Sequence, residues 1–106
     1  MSRLKLRPIH PGEILKEQVE ELGMSARALA VRLGVPTNRV TGVLNETRSI
    51  TPGTALRLAK LFGGGQDGAR FWLNLQQAYD LRRAELEAEQ EGYLEAIEPV
   101  RVPAVR

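Results

Sequence analysis

The chain has 106 residues, a formal net charge of +2, no cysteine and one histidine. That length suits one domain with a compact core and leaves little room for a large enzyme cleft, while 42% hydrophobic and 26% charged residues describe an ordinary soluble protein. Without cysteine, and with only His10, disulfide frameworks and thiolate zinc sites are excluded, and no Cys or His pair is left for nucleophilic catalysis.

Residues 1–9 form a basic arm carrying Arg3, Lys5 and Arg7 ahead of Pro8, without periodic pattern. It could reach a nucleic-acid backbone, but solubilising the terminus is the simpler reading. The start MSRLKLRPIHPGE has no apolar core of a signal peptide, and no apolar run in the chain is long enough to cross a bilayer, so a cytoplasmic location is expected. From Pro11 to Leu22 the positions Leu15, Val19 and Leu22 recur at helical spacing, with Ile14 widening the stripe and Glu13 in the first turn, where a negative charge suits the helix dipole. His10, just outside, could cap this helix or bind phosphate, although a lone histidine at a helix start is more often a surface residue.

Gly23 ends the first helix, and Ser25 to Arg48 then reads as two short helices around the tight turn Leu33-Gly34-Val35. Ser25 is the expected N-cap, Leu29, Ala30 and Leu33 the buried stripe, and Arg27 and Arg32 lie on the outer faces. Gly34 can take positive φ and turn the chain sharply, and Pro36 suits the first turn of the next helix, whose inward face is Val40, Val43 and Leu44. Thr37, Asn38, Arg39 and Thr41 are then left exposed near the N-terminal end, the end that meets base edges when such a helix enters a major groove. The pattern is that of a DNA-reading helix-turn-helix.

The polar loop Asn45-Glu46-Thr47-Arg48-Ser49 follows, and Thr51-Pro52 opens a fourth helix as N-cap and first residue, with Ala55, Leu58, Ala59 and Phe62 facing inward. Thr51 and Thr54 are candidate phosphate ligands at its start. Gly63-Gly64-Gly65 breaks the pattern, and Asp67 is the expected cap of a long last helix starting near Gly68 and running to Glu91 or beyond. Phe71, Trp72 and Leu75 read mainly as core, leaving Tyr79 and Leu81 for a dimer contact. Arg82 and Glu89 fall where a coiled-coil seam needs apolar residues, which argues against a long independent coiled coil. The tail IEPVRVPAVR is broken by Pro99 and Pro103 and is expected to be extended or disordered. Charge is uneven: residues 1–60 hold ten Lys/Arg against five Asp/Glu, and residues 61–106 five against eight. A basic half beside an acidic half suits a protein that touches phosphates with one end and something else with the other.

The helix-turn-helix resembles that of phage-repressor-type regulators. The wider series HPGEIL at 10–15, GVPTNRV at 34–40, ITPGTALRLAKLFG at 50–63 and FWLNLQQAYDL at 71–81 resembles the HigA-type antitoxins. The resemblance covers roughly residues 8 to 81 and implies an all-α, five-helix bundle with an extended C-terminal helix. It divides the chain into the arm 1–9, a DNA-binding bundle 10–63, a long helix 64–96 that packs on the bundle and contributes to dimerisation, and a tail 97–106. Against the family pattern the glycine stretch is slightly expanded, which implies a looser join to the last helix. Many relatives carry Gln after the serine that opens the second helix, where it contacts phosphate; this chain has Ala26, so the contact is lost or passes to Arg27.

The resemblance implies an antitoxin that neutralises a HigB-type mRNA interferase and, as a homodimer, binds a palindromic double-stranded operator to repress its own operon. Thr37, Asn38, Arg39 and Thr41 would contact bases, and Arg27, Asn45, Thr47, Arg48 and Thr51 phosphates. No cofactor, metal, membrane or catalytic residue is expected. A stand-alone repressor of the same fold is the nearest alternative, a helical protein-interaction adaptor the next. An enzyme is the weakest reading, because the carboxylates lie on a Glu-rich surface helix without a nucleophile, metal cluster or phosphate loop.

Overall fold

The chain starts its first, second and fourth helices where a side chain can receive an otherwise unpaired backbone N–H. In the computed structural model, which describes residues 7–101 and Pro103, α1 spans Pro11–Glu21, α2 Ala26–Leu33, α3 Thr37–Leu44, α4 Pro52–Phe62 and α5 Gly65–Glu91, followed by a 3-10 turn at Tyr93–Ala96. No strand occurs among the described residues. Ser25 Oγ accepts from the Ala28 N–H at 3.0 Å and Thr51 Oγ1 from the Thr54 N–H at 3.3 Å. His10 caps α1: its Nδ1 accepts from the Gly12 N–H at 2.8 Å, and the imidazole is buried edge-on to the Tyr79 ring at 4.7 Å between centroids. The surface role expected of His10 is thereby replaced by the capping one.

Gly34 ends α2 at φ 73°, a left-handed conformation that costs most side chains energy. The Val35 N–H reaches the Ala30 carbonyl at 3.1 Å and the Gly34 N–H the Val31 carbonyl at 3.2 Å, the paired bonds of a Schellman turn. Pro36 is the residue before α3 rather than part of its first turn, with extended ψ of 147°. The last helix starts earlier than expected. Gly64 precedes it in a left-handed conformation, and Asp67 lies in the first turn instead of capping it. Only Gly63 and Gly64 separate α4 from α5, so the join is short, and these two helices share the most extensive contact in the molecule.

Leu29, Ala55 and Leu58 lie at the centre with no exposed surface, surrounded by Leu15, Val19, Ala30, Leu33, Val40, Val43, Ile50, Ala59, Ala69 and Trp72. Two expected core residues lie outside. Leu22 is 57% exposed: it is the C-cap of α1, still in right-handed helical backbone, but at the end of the helix beyond the buried Val19. Phe71 is 46% exposed because adjacent helical residues point about 100° apart, and Trp72 takes the inward direction. Phe71 instead leans edge-on against Trp72 at 5.2 Å. The radius of gyration, 17.3 Å, exceeds the roughly 13 Å of a compact chain this size, since α5 is about 40 Å long and outruns the bundle.

Two contacts fix α3 in place. A β-carbon on Gly12 would collide with the Val43 carbonyl oxygen, so the start of α1 lies directly on the α3 backbone. Arg57 of α4 donates from Nη1 to the Leu33 carbonyl at 2.6 Å, holding the α2–α3 turn at the carbonyl-rich end of α2, where a cation is favoured. Gly12→Ala should therefore destabilise the protein by about 1–3 kcal/mol through overpacking, read as a lower midpoint in urea at unchanged slope. Arg57→Ala should cost about 1.5 kcal/mol, the low end for a hydrogen bond from a charged donor, in the same experiment.

Candidate nucleic-acid interface

The first turn of α3 presents Thr37 and Asn38 exposed and Arg39 half-buried. Among the described residues no hydrogen bond or ion pair engages their side chains. Helical spacing explains the arrangement: Val40 and Val43 point into the core, which turns residues 37, 38 and 41 outward. Thr41 is half-buried, and its hydroxyl donates back to the Asn38 carbonyl at 3.3 Å, so what it offers a ligand is its methyl group and oxygen lone pairs. Asn38 and Arg39 are the donors with geometry suited to bidentate bonds with purine edges. Arg27 is exposed one residue beyond Ala26 at the start of α2, also without a partner among the described residues.

Behind α3 the Asn45 and Glu46 N–H groups bond the Thr41 and Val43 carbonyls, and three further donors of the loop converge on one carbonyl. The Gly42 oxygen accepts from the Thr47 N–H at 2.8 Å, the Arg48 N–H at 3.1 Å and the Thr47 hydroxyl at 3.2 Å. Glu46 makes this turn possible by adopting φ 66°, a conformation rare for a residue other than glycine. The aliphatic stem of Arg48 then folds across Gly42, where a β-carbon would lie 2.9 Å from Arg48 Cδ. The guanidinium of Arg48 and the amide of Asn45 remain exposed and without partners among the described residues. Thr47 differs from them, because its hydroxyl proton is already engaged and would have to leave Gly42 to reach a phosphate. Thr51 is exposed, with its oxygen capping α4, whereas Thr54 is 5% exposed, which removes it as a phosphate ligand.

The arm's described residue Arg7 forms a two-bond ion pair with Glu13, at 2.8 and 3.1 Å, and this hydrogen bonding holds the Glu13 carboxyl below the ordinary glutamate range. Arg3 and Lys5 lie outside the described residues. Among the described residues no cluster of three potential metal ligands forms, and no helix is long and apolar enough to cross a membrane.

Tyr79 and Leu81 are not brought together. The Tyr79 ring packs on His10 and under the Arg83 guanidinium, 5.5 Å from its centroid. Leu81, on the other side of α5, is 59% exposed beside a shallow apolar depression lined by Asn74, Gln77 and Ala78. Residues whose roles the sequence reading missed are Gly12, Gly42, Arg57 and Gln76. Gly42 was detectable as a helix-interior glycine, which usually has a packing reason, whereas Gly12 was not, since Gly53 at the same place in α4 faces open space. Gln76 was detectable as a polar residue one turn after Trp72 on the buried stripe.

The chain matches the helix-turn-helix family over residues 15–65. It is 51% identical over 78 residues to virulence-associated protein I of Dichelobacter nodosus, covering 73% of this chain and 69% of that one. Among solved structures it is similar to an addiction-module antidote protein of the HigA family from Coxiella burnetii, with TM-score 0.81 and 51% identity over 90% of this chain and 100% of that one. It is also similar to the Pseudomonas aeruginosa antitoxin HigA with the higBA promoter, with TM-score 0.78 and 38% identity over 90% of this chain and 100% of that one. With the helix-turn-helix geometry and this identity over nearly the whole fold, the chain belongs to the HigA family of helix-turn-helix antitoxins.

Proposed function

We propose that this protein is the antitoxin of a type II toxin–antitoxin pair, that it binds a palindromic operator as a homodimer to repress its own operon, and that it neutralises a HigB-type mRNA interferase. The observation that carries the DNA half is the exposed, unengaged first turn of α3, Thr37, Asn38 and Arg39, flanked by the free side chains of Arg27, Asn45 and Arg48. A related HigA was solved with the higBA promoter, which supports promoter binding by this chain as well. In this reading Thr37, Asn38, Arg39 and Thr41 contact bases; Arg27, Asn45, Arg48 and Thr51 contact phosphates, and Thr47 does so only by exchanging its bond to Gly42. The bundle 10–63 carries the DNA-binding unit, and the segment 64–96, through its helix α5, the surface on which two copies pair.

One α3 makes too few base contacts for useful specificity, and phosphate contacts add affinity without sequence information. Two copies about a twofold axis place two α3 helices in successive major grooves, about 34 Å apart. The face of α5 best suited to that pairing carries Phe71, Ala78 and Leu81, large or small apolar residues left exposed at helical spacing. The toxin half rests on family membership. The acidic end of α5, with Glu85, Glu87, Glu89 and Glu91, adds charge complementarity for a basic toxin.

Gel-shift titration on the chain's own promoter at two salt concentrations, together with co-purification from a strain expressing its chromosomal neighbours, tests the proposal. A specific, salt-sensitive shift with a small basic protein recovered supports both halves; a shift without a partner leaves a stand-alone repressor. Arg39→Ala should weaken operator binding by about 1–3 kcal/mol and relax sequence preference, and a loss uniform over all sequences would reassign Arg39 to the backbone. Leu81→Asp should convert the dimer to monomer in sedimentation and weaken operator binding with it, while an unchanged dimer would exclude this face.

A further inference from the structure

We propose that Gln76 of α5 is a positioning residue for the phosphate contacts, holding the loop between α3 and α4 in its DNA-binding shape; the inference rests on the operator-binding reading above. Gln76 is 6% exposed, and its Oε1 accepts from the Ile50 N–H at 2.8 Å. Only oxygen can accept from an N–H, which fixes the orientation of the amide and leaves Nε2 to donate to Asp80 Oδ1 at 3.0 Å. The bond spans 26 positions of sequence and enters the loop between Arg48 and Thr51, two of the proposed phosphate ligands.

The loop has few other anchors. Its first half hangs on the Thr41, Gly42 and Val43 carbonyls at the end of α3, while Ser49 is exposed and Ile50 is the loop residue buried in the core, 2% exposed. Without the Gln76 oxygen, the buried Ile50 N–H has no acceptor and the backbone must move to find water, carrying Arg48 and Thr51 out of register. Asp80 holds the amide in the required orientation from the surface of α5, next to Leu81. The helix proposed to join two copies therefore also sets the loop that grips the DNA backbone.

The test compares wild type, Gln76→Met and the double variant Gln76→Glu/Asp80→Asn, in which a carboxylate accepts from Ile50 and the new amide donates to it. The readouts are operator affinity as a function of salt, amide exchange at Ile50 and thermal unfolding. Gln76→Met should speed Ile50 exchange, weaken binding about tenfold on specific and random DNA alike, and lower the slope of log K against log salt by about one, the effect of a lost phosphate contact. The double variant should restore all three. Gln76→Met that unfolds more easily but keeps the wild-type salt slope and affinity would reduce Gln76 to a structural role and overturn the inference. Should Gln76→Met fail to fold, a folded double variant with a lowered salt slope would overturn it equally. A wild-type protein without a specific, salt-dependent shift would instead refute the operator reading itself.

Discussion

An isolated helix of eight residues is not stable in water, because nucleation fixes several residues before hydrogen bonds accumulate. Everything that α3 contributes therefore depends on what its neighbours do to it. Val40 and Val43 are buried in the common core, Gly12 lets the start of α1 rest on the Val43 carbonyl, and Arg57 of α4 binds the turn through which the chain enters α3. His10 joins the same assembly, capping α1 while packing against Tyr79 of α5. The outcome is a short helix held from α1, α2 and α4, whose outward residues need not pack against anything and so remain available to a ligand.

The loop after α3 is organised by the same economy of contacts. A single carbonyl, that of Gly42, receives three donors, and Glu46 occupies a left-handed conformation costing about 1–2 kcal/mol. That cost is offset by the returning chain, whose Arg48 stem lies over Gly42 with its charged end in solvent. The cations Arg27, Arg39 and Arg48 belong to the half of the chain with excess positive charge, and the carboxylates of late α5 to the half with excess negative charge. A dipolar distribution of this kind orients a protein in the field of DNA before contact.

Helix α5 has two faces with different obligations. Trp72, Gln76 and Ala69 are buried against the bundle, while Phe71, Ala78 and Leu81 are turned to solvent. Tyr79 belongs to the inward side, through His10, and Leu81 to the outward one. Pairing of copies and placement of the DNA loop, both proposed above, would thus be carried by opposite sides of one rigid element.

Periodicity and punctuation in the sequence were sufficient to find the five helices, because Ser25, Thr51, Gly34 and the glycines at 63–65 act on the backbone locally and the apolar stripes state which face turns inward, although Pro36 precedes α3 and α5 starts at Gly65 instead of near Gly68. The exposed start of α3 was legible for the same reason, since Val40 and Val43 leave only one orientation for Thr37 and Asn38. What the sequence could not decide were contacts between residues far apart in the chain. Gly12 meeting Val43, Arg57 reaching Leu33, Gln76 reaching Ile50 and His10 meeting Tyr79 each depend on how helices cross, and no local pattern encodes a crossing. The choice of Trp72 over Phe71 for the core was also tertiary: both are large and apolar, and only the position of α5 against α4 determines which of two neighbouring directions meets the bundle.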